Sequence, residues 1–321
     1  MASKFATLYG NLSVMLDAGL PILKTLNIAT EGLQPGHFKI IFTDISKSVS
    51  QGNSLADSMD KYPGNFAKLD LMLIRSAELS AELPRCFKML SEWHEFKNKI
   101  KHIILSGLLL PILIIHIAIF IFPFPLVILG KITIIGYLAI ILRILGPLYL
   151  AVGLIIALHH SSQFNARLHV ILDAIILRIP IINEAVRQLS ICRYCRGFNL
   201  LYKAGLPIKE CATQATELTG NIVVSDMFKG GIASIEAGKT AYEGFSRKLP
   251  KEYLELWYIG EETGELDKTV DKIAEISGDR AEHMFIEIAK WTPRIIYFMV
   301  IITLAVIIII SITSLYSSNM P

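Results

Sequence analysis

The stretch Ala18-Gly19-Leu20-Pro21 lies near the start of this 321-residue sequence, and Ala204-Gly205-Leu206-Pro207 repeats it 186 residues later. This tetrapeptide is typical of a tight corner between two helices. Glycine adopts the left-handed conformation just after a helix, the residue before proline leaves the α region, and proline is favoured at the first helical position. The predicted structural turns lie at Gly19, Pro21, Gly205 and Pro207.

The sequence around the two corners is repeated as well. Downstream, Gln51-Gly52 matches Ala237-Gly238, and the segment Ala77–Leu83 matches Gly260–Leu266. Landmarks in one order at nearly one offset indicate an internal repeat. Apolar residues recur at helical spacing, as at Leu266, and no strand-like alternation is sustained. We therefore predict two repeated helical bundles, each long enough to have its own core.

An acidic segment, Gly260-Glu261-Glu262-Thr263-Gly264-Glu265-Leu266-Asp267, closes the second repeat. Its two glycines, Gly260 and Gly264, predict another helix–turn–helix corner. The carboxylates around it fit a solvated helix terminus, a contact for a basic surface on a partner, or a cation site. The first repeat keeps two glutamates here but has Ala77 and Ala81 in place of the glycines. The candidate partner contacts are Glu261, Glu262, Glu265, Glu78 and Glu82.

Three apolar runs make this an all-α membrane protein rather than a soluble one. The chain is 53% hydrophobic and 18% charged, and the excess lies in residues 103–122, 132–158 and 295–316, each long enough to cross a bilayer. Basic residues flank the predicted cytoplasmic ends, which places the N-terminus in the cytoplasm and the C-terminus on the outer side of the membrane. The predicted order is cytoplasmic repeat one (1–102), transmembrane helix one (103–122), an extracytoplasmic connector (123–131), transmembrane helix two (132–158), a cytoplasmic region (159–294) with repeat two at about 190–285, transmembrane helix three (295–316) and an extracytoplasmic tail (317–321).

Two ionisable residues, His116 and Arg143, fall inside the predicted spans. A charge within the bilayer is costly, so a polar contact is one interpretation, either within an oligomer or between Arg143 and His116. The alternative is a tilted helix whose guanidinium snorkels to the interface.

Other chemical signals are weak. The net charge of +3 is too balanced for a nucleic-acid partner. Cys192 and Cys195 form a lone C-x-x-C without the second ligand pair of a zinc site. The segment Ala233–Thr240 imitates a nucleotide-binding loop, but its first residues are predicted to be helical, with Gly238 ending the helix. We predict no enzyme, no cofactor and no metal.

Taken together, the duplicated corner, the terminal G-E-x-[ST]-G-x-L motif and the order of the spans resemble the PilC/GspF family of inner-membrane platform proteins of type IV pilus and type II secretion machines. Because the chain opens almost directly on repeat one, it resembles the short form of that family. The resemblance implies a non-enzymatic protein of the bacterial inner membrane that couples a cytoplasmic hexameric assembly ATPase to the polymerisation of pilin or pseudopilin. It further implies contacts with pilin transmembrane helices, with other inner-membrane assembly proteins and with further copies of itself. The alternative from another class is a small membrane transporter or permease, although transporter repeats usually contain the spans themselves.

Overall fold

The computed structural model describes residues 2–121, 123–128, 130, 132–162 and 180–318. Within these ranges the chain forms helices and no β-strand, with one isolated bridge between Pro63 and Phe66. In chain order the helices are α1 (Ala2–Asp17), α2 (Ile22–Glu31), α3 (His37–Ser50), α4 (Leu55–Asp60), α5 (Lys68–Ser80), α6 (Leu83–Ile121), α7 (Phe124–Ile128), α8 (Ile134–Ser162), α9 (Pro180–Lys203), α10 (Ile208–Leu218), α11 (Ile222–Glu236), α12 (Ala241–Gly244), α13 (Lys251–Thr263) and α14 (Leu266–Ser318).

The chain divides into two compact units. The first unit joins Met1–Lys101 to Arg187–Arg280, and thus contains both predicted repeats. The second unit joins His102–Val186 to Ala281–Pro321, and thus contains the predicted spans. The helices α6 and α14 each begin in the first unit and continue into the second without a break.

Each repeat has its own aromatic core. In repeat one, the rings of Phe5, Tyr9 and Phe87 are buried against one another. In repeat two, Trp257 is 1% exposed and lies edge-on to Phe198, with ring centroids 4.9 Å apart. Aromatic side chains bury large areas and prefer such edge-to-face geometry, so they contribute strongly to holding each bundle together.

At both predicted corners the chain turns directly after a helix. Gly19 has φ 82° and Gly205 has φ 79°, both in the left-handed region. The amides of Gly19 and Leu20 donate to carbonyls of the preceding helix at 2.9 and 3.1 Å, which is the Schellman arrangement that closes a helix C-terminus. The corresponding bonds of Gly205 and Leu206 measure 3.0 and 3.2 Å.

The position of the prolines differs from the prediction by one residue. Pro21 and Pro207 are N-caps, with ψ 144° and 139°, and the helices begin at Ile22 and Ile208. The extended ψ keeps each proline outside the helix, while its carbonyl already accepts the first intrahelical hydrogen bond, as in Thr25 N–H to Pro21 O at 3.0 Å.

In the second unit, the predicted first span lies in α6. Among the described residues, Leu83–Ile121 is the one helix that is both long and apolar enough to cross a membrane, and Ile134–Pro147 is a shorter apolar helix. The predicted spans 132–158 and 295–316 coincide with parts of α8 and α14, and α7 lies in the predicted connector. Residues 163–179 and 319–321, predicted as cytoplasmic chain and periplasmic tail, lie outside the described residues.

The structure does not show the contact between His116 and Arg143 that was one interpretation of these two residues. The His116 ring contacts the Tyr149 hydroxyl through Nε2 and the Ile112 carbonyl through Nδ1, both at 2.7 Å. Both ring nitrogens are therefore engaged, and the contact between His116 and Arg143 is not formed. Arg143 is exposed on α8.

Candidate functional site

The acidic corner lies where α13 ends and α14 begins. Gly264 follows α13 with φ 75° and ψ 7°, which is the left-handed conformation of a residue that ends a helix. An added Cβ at Gly264 would meet no atom within 4 Å, which means that backbone conformation alone favours glycine here. The turn leaves Glu262 and Glu265 exposed on either side of Gly264.

The prediction of a turn at Gly260 is wrong. Gly260 lies inside α13 and is buried. An added Cβ would overlap the Thr269 hydroxyl and lie 3.0 Å from the Leu266 Cα. Glycine is therefore present because α13 and α14 pack closely, and not because the chain reverses direction.

Repeat one forms the same turn without glycine. Ala81 has φ 58° and ψ 26°, which is the left-handed conformation of Gly264. The Glu82 amide donates to the Ala77 carbonyl at 3.0 Å and closes α5. Ala81 therefore adopts the left-handed conformation without being glycine, although a Cβ at such φ is strained.

Two of the predicted partner contacts cap helices inside the repeats. Glu261 accepts hydrogen bonds from the amides of Ala241 and Tyr242, at 2.7 and 3.1 Å, at the start of α12. Glu78 accepts equivalent bonds from Leu55 and Ala56, at 2.5 and 2.9 Å, at the start of α4. A carboxylate is well placed there because it satisfies unpaired amides and faces the positive end of the helix dipole.

The remaining predicted contacts lie at the surface. Glu262 is exposed, Glu265 pairs with Lys268 at 2.5 Å, and Glu82 pairs with Arg85 at 3.3 Å. Exposed pairs of this kind contribute at most about 1 kcal/mol. Glu265 and Glu82 can therefore exchange their own lysine or arginine for a basic group on a partner at little cost. We refer to Glu82, Glu262 and Glu265 as the acidic surface.

The segment that imitates a nucleotide-binding loop is a helix end. Residues up to Glu236 belong to α11, and Gly238 follows with φ 74°. The Lys239 amide donates to the Ser234 carbonyl at 2.9 Å, which closes the helix instead of leaving amides for a phosphate.

The four cysteines are free thiols. Cys86, Cys192, Cys195 and Cys211 are all buried and unpaired with one another. Burial raises the pKa of Cys211 to about 12, so its thiol is neutral at physiological pH and unreactive. Within the described part of the chain, no three His, Cys, Asp or Glu side chains are grouped so as to hold a metal ion.

One buried polar cluster was missed by the sequence analysis. In repeat one, Asp70 Oδ2 accepts the Tyr9 hydroxyl at 3.2 Å and lies 2.9 Å from His94 Nε2. All three residues are at most 4% exposed, and burial together with the Asp70 charge raises the pKa of Tyr9 well above its ordinary value. The residues are far apart in sequence and form no motif, so no local signal could have identified them.

Comparison with known proteins supports the repeat. The sequence matches the family described as type II secretion system (T2SS), protein F, at residues 8–130 and again at residues 194–317. The two matches begin 186 residues apart, which is the spacing of the two corners.

Curated proteins from two kinds of machine are similar over most of the chain. The chain is 26% identical over 295 residues to the type IV pilus assembly protein PilC of Pseudomonas aeruginosa, covering 82% of this chain and 76% of that protein. It is 24% identical to PilC of Myxococcus xanthus, covering 84% and 69%. It is also 22% identical to the type II secretion system protein F of Pseudomonas aeruginosa, covering 96% and 81%.

Proposed function

Because this chain belongs to the type II secretion system protein F family, we propose that it is a platform protein of a type IV pilus or type II secretion machine in the bacterial inner membrane. In this role it couples a hexameric cytoplasmic assembly ATPase to the polymerisation of pilin or pseudopilin. It performs no catalysis of its own, and instead relays displacement from the ATPase to subunits in the bilayer.

The observation that carries this proposal is the pair of long helices α6 and α14. α6 extends over 39 residues and α14 over 53 residues, and each joins a folded repeat to an apolar run. A helix transmits a displacement applied at one end, whereas a flexible loop absorbs it. Pro111 in α6 and Pro293 in α14 each remove one backbone hydrogen bond, but both helices continue past them. Two such helices, one from each repeat, fit a protein that transfers movement into a membrane.

The proposed topology has three membrane spans, with the N-terminus in the cytoplasm and the C-terminus in the periplasm. Its support is the large number of apolar side chains left uncovered on the relevant helices. Leu109 on α6 is 67% exposed, Leu142 on α8 is 73% exposed, and Phe298 on α14 is 64% exposed. Exposed apolar side chains on all three helices fit contact with lipid and with the transmembrane helices of pilin.

The ATPase contact is proposed to include the acidic surface. Its carboxylates lie at the corners that immediately precede α6 and α14, so a force applied there acts on the ends of both long helices. Glu78 and Glu261 contribute indirectly, since their caps hold the corners to α4 and α12.

A pull-down tests this contact. Tagged full-length protein in detergent is expected to retain the host's assembly ATPase, and Glu262→Lys with Glu265→Lys to lose most of it. The matched control reverses two exposed carboxylates elsewhere on repeat two, Asp226→Lys with Glu236→Lys, and should retain the ATPase. Equal loss in both variants would contradict a specific role for the acidic surface, and failure of the wild-type chain to bind would contradict the platform role itself.

A second experiment tests the relay. A flexible pair, His283→Gly with Met284→Gly, lies in α14 between repeat two and the predicted third span. We expect it to abolish filament assembly while membrane insertion and ATPase binding persist. The control, His283→Ala with Met284→Ala, keeps the helix and should assemble filaments. Normal assembly by the glycine pair would refute transmission through α14.

A further inference from the structure

The two repeats contact each other through unlike surfaces. The Ser76 hydroxyl on α5 of repeat one donates to the Ala204 carbonyl at the corner of repeat two, at 2.9 Å. Beside this bond, Lys68 Nζ at the start of α5 lies 3.4 Å from Glu217 Oε2 on α10. The contact therefore joins the α5 face of one repeat to the corner and second helix of the other.

Because the chain is duplicated, each of these surfaces has a second copy. α13 has the same length as α5 and places Lys251 and Ile259 where α5 has Lys68 and Ser76. We call this the free helix face. The corner of repeat one places Ala18 and Glu31 where repeat two has Ala204 and Glu217, and we call this the free corner face.

Among the residues that the structure describes, the free faces do not meet each other. A two-fold relation between the repeats would place Lys251 on Glu31, as Lys68 is placed on Glu217. Lys251 is instead 90% exposed and lies 3.6 Å from Glu255 on its own helix. The internal contact is thus head-to-tail, and a contact of this type can be continued by further copies.

Both free faces carry exposed apolar side chains. Tyr258 and Ile259 on the free helix face are 44% and 48% exposed, and Ile259 occupies the place of the half-buried Ser76. On the side of the free corner face, Val14 and Ile28 are 70% and 42% exposed and line a groove of about 630 Å³ between α1 and α2. Protruding apolar groups on one face and an apolar groove on the other are complementary.

We propose that the free helix face of one copy docks on the free corner face of the next copy, with Lys251 opposite Glu31. This rests on the proposed platform function, in which the chain acts as a homo-oligomer, and specifies the interface. Because exposed ion pairs contribute little energy, apolar contact supplies the attraction. The ion pair fixes the register of the two copies. Head-to-tail contacts close into a ring when the rotation between copies allows it, and otherwise propagate as an open array.

The contact between copies is smaller than the contact within the chain. Inside the chain, the Arg196 guanidinium also stacks on Phe96 at 4.2 Å. The corresponding positions hold Gly10 and Asp279, which cannot form this stack. A cross-linking assay in the membrane is therefore better suited to detect the contact than purification of a stable oligomer.

Cysteine cross-linking of the full chain in membranes tests the interface. Ile259→Cys in one tagged copy and Ala18→Cys in a second tagged copy reproduce the Ser76–Ala204 contact between chains. A short bifunctional maleimide should join the two tags in a band of twice the 35.8 kDa chain, and neither variant alone should give this band. The wild type is the control for the four buried thiols. Ser76→Cys with Ala204→Cys in one chain is the positive control and cross-links without a gain in mass.

Charge reversal tests the register. Lys251→Glu or Glu31→Lys alone should reduce the cross-linked band several-fold, and the two changes together should restore it. Self-cross-linking of Ile259→Cys alone would overturn the proposal in favour of a two-fold interface. Absence of the band while the positive control cross-links would overturn it as well. If the ATPase is still retained in the same membranes, only the interface fails and the platform function stands.

Discussion

Replacing Ala81 with glycine is expected to stabilise repeat one. Ala81 is the one non-glycine residue with positive φ among the described residues, at 58°. A Cβ in the left-handed region costs about 1–2 kcal/mol, whereas glycine increases the entropy of the unfolded chain at a cost of about 0.4–1 kcal/mol. The difference leaves a gain of about 0.5–1 kcal/mol in the free energy of unfolding.

The same reasoning predicts the opposite result in repeat two. Gly264 has φ 75°, and an added Cβ would contact nothing within 4 Å. Gly264→Ala therefore introduces only the backbone cost and should lower the free energy of unfolding by about 0.5–1 kcal/mol. The two substitutions exchange the residues that the repeats use at one structural position.

Urea unfolding of the full chain in detergent, followed by tryptophan fluorescence, measures both effects. Trp93 in repeat one and Trp257 in repeat two are 4% and 1% exposed, so each reports on the opening of its own core. Trp291→Phe in every variant removes the exposed third tryptophan. With a urea dependence of about 2 kcal/mol per molar, the midpoint should rise by roughly 0.3–0.5 M for Ala81→Gly and fall by a similar amount for Gly264→Ala.

Ser80→Gly serves as the control, because Ser80 is the last helical residue of α5. Glycine inside a helix is unfavourable by about 0.5–1 kcal/mol, so the midpoint should fall. An unchanged or lower midpoint for Ala81→Gly would refute the assignment of strain to this residue. A fall for Ala81→Gly that equals the fall for Ser80→Gly would show that glycine destabilises this segment regardless of φ.

Three further outcomes are expected. Glu261→Gln and Glu78→Gln should each lower the free energy of unfolding by about 1–3 kcal/mol in the same urea assay, because the amide replaces a charged acceptor facing two backbone donors; a neutral effect would contradict the caps. Gly260→Ala should lower the free energy of unfolding by about 1–3 kcal/mol through overpacking of α13 on α14, and the higher helix propensity of alanine offsets part of this loss. A stabilised variant would show that the two helices can move apart to admit the Cβ. Because burial raises the pKa of Cys211 to about 12, the folded chain should resist iodoacetamide at pH 8, and its stability should fall as the pH rises above about 9, where only the unfolded thiol ionises; rapid labelling of Cys211 before unfolding would contradict its burial.

The helices, the duplication and the corners were determined by the sequence alone. The conformation of Gly19 and Gly205 follows from a steric rule that involves only adjacent residues, and apolar periodicity reports helices within a few turns. The long apolar runs could likewise be identified from the sequence, since length and composition decide whether a segment is suited to the bilayer core. These features are local, so no knowledge of the folded chain was required.

The use of the glutamates and glycines was decided by tertiary structure. Glu78 caps a helix 23 residues earlier in the chain, and Gly260 is required by the approach of α14 and not by a turn. Ala81 is the opposite case, because the fold holds a residue with a Cβ in the left-handed conformation, which usually favours glycine. Each outcome depends on which backbone atoms lie nearby in space, and helix packing sets those distances without leaving a periodic signal along the chain.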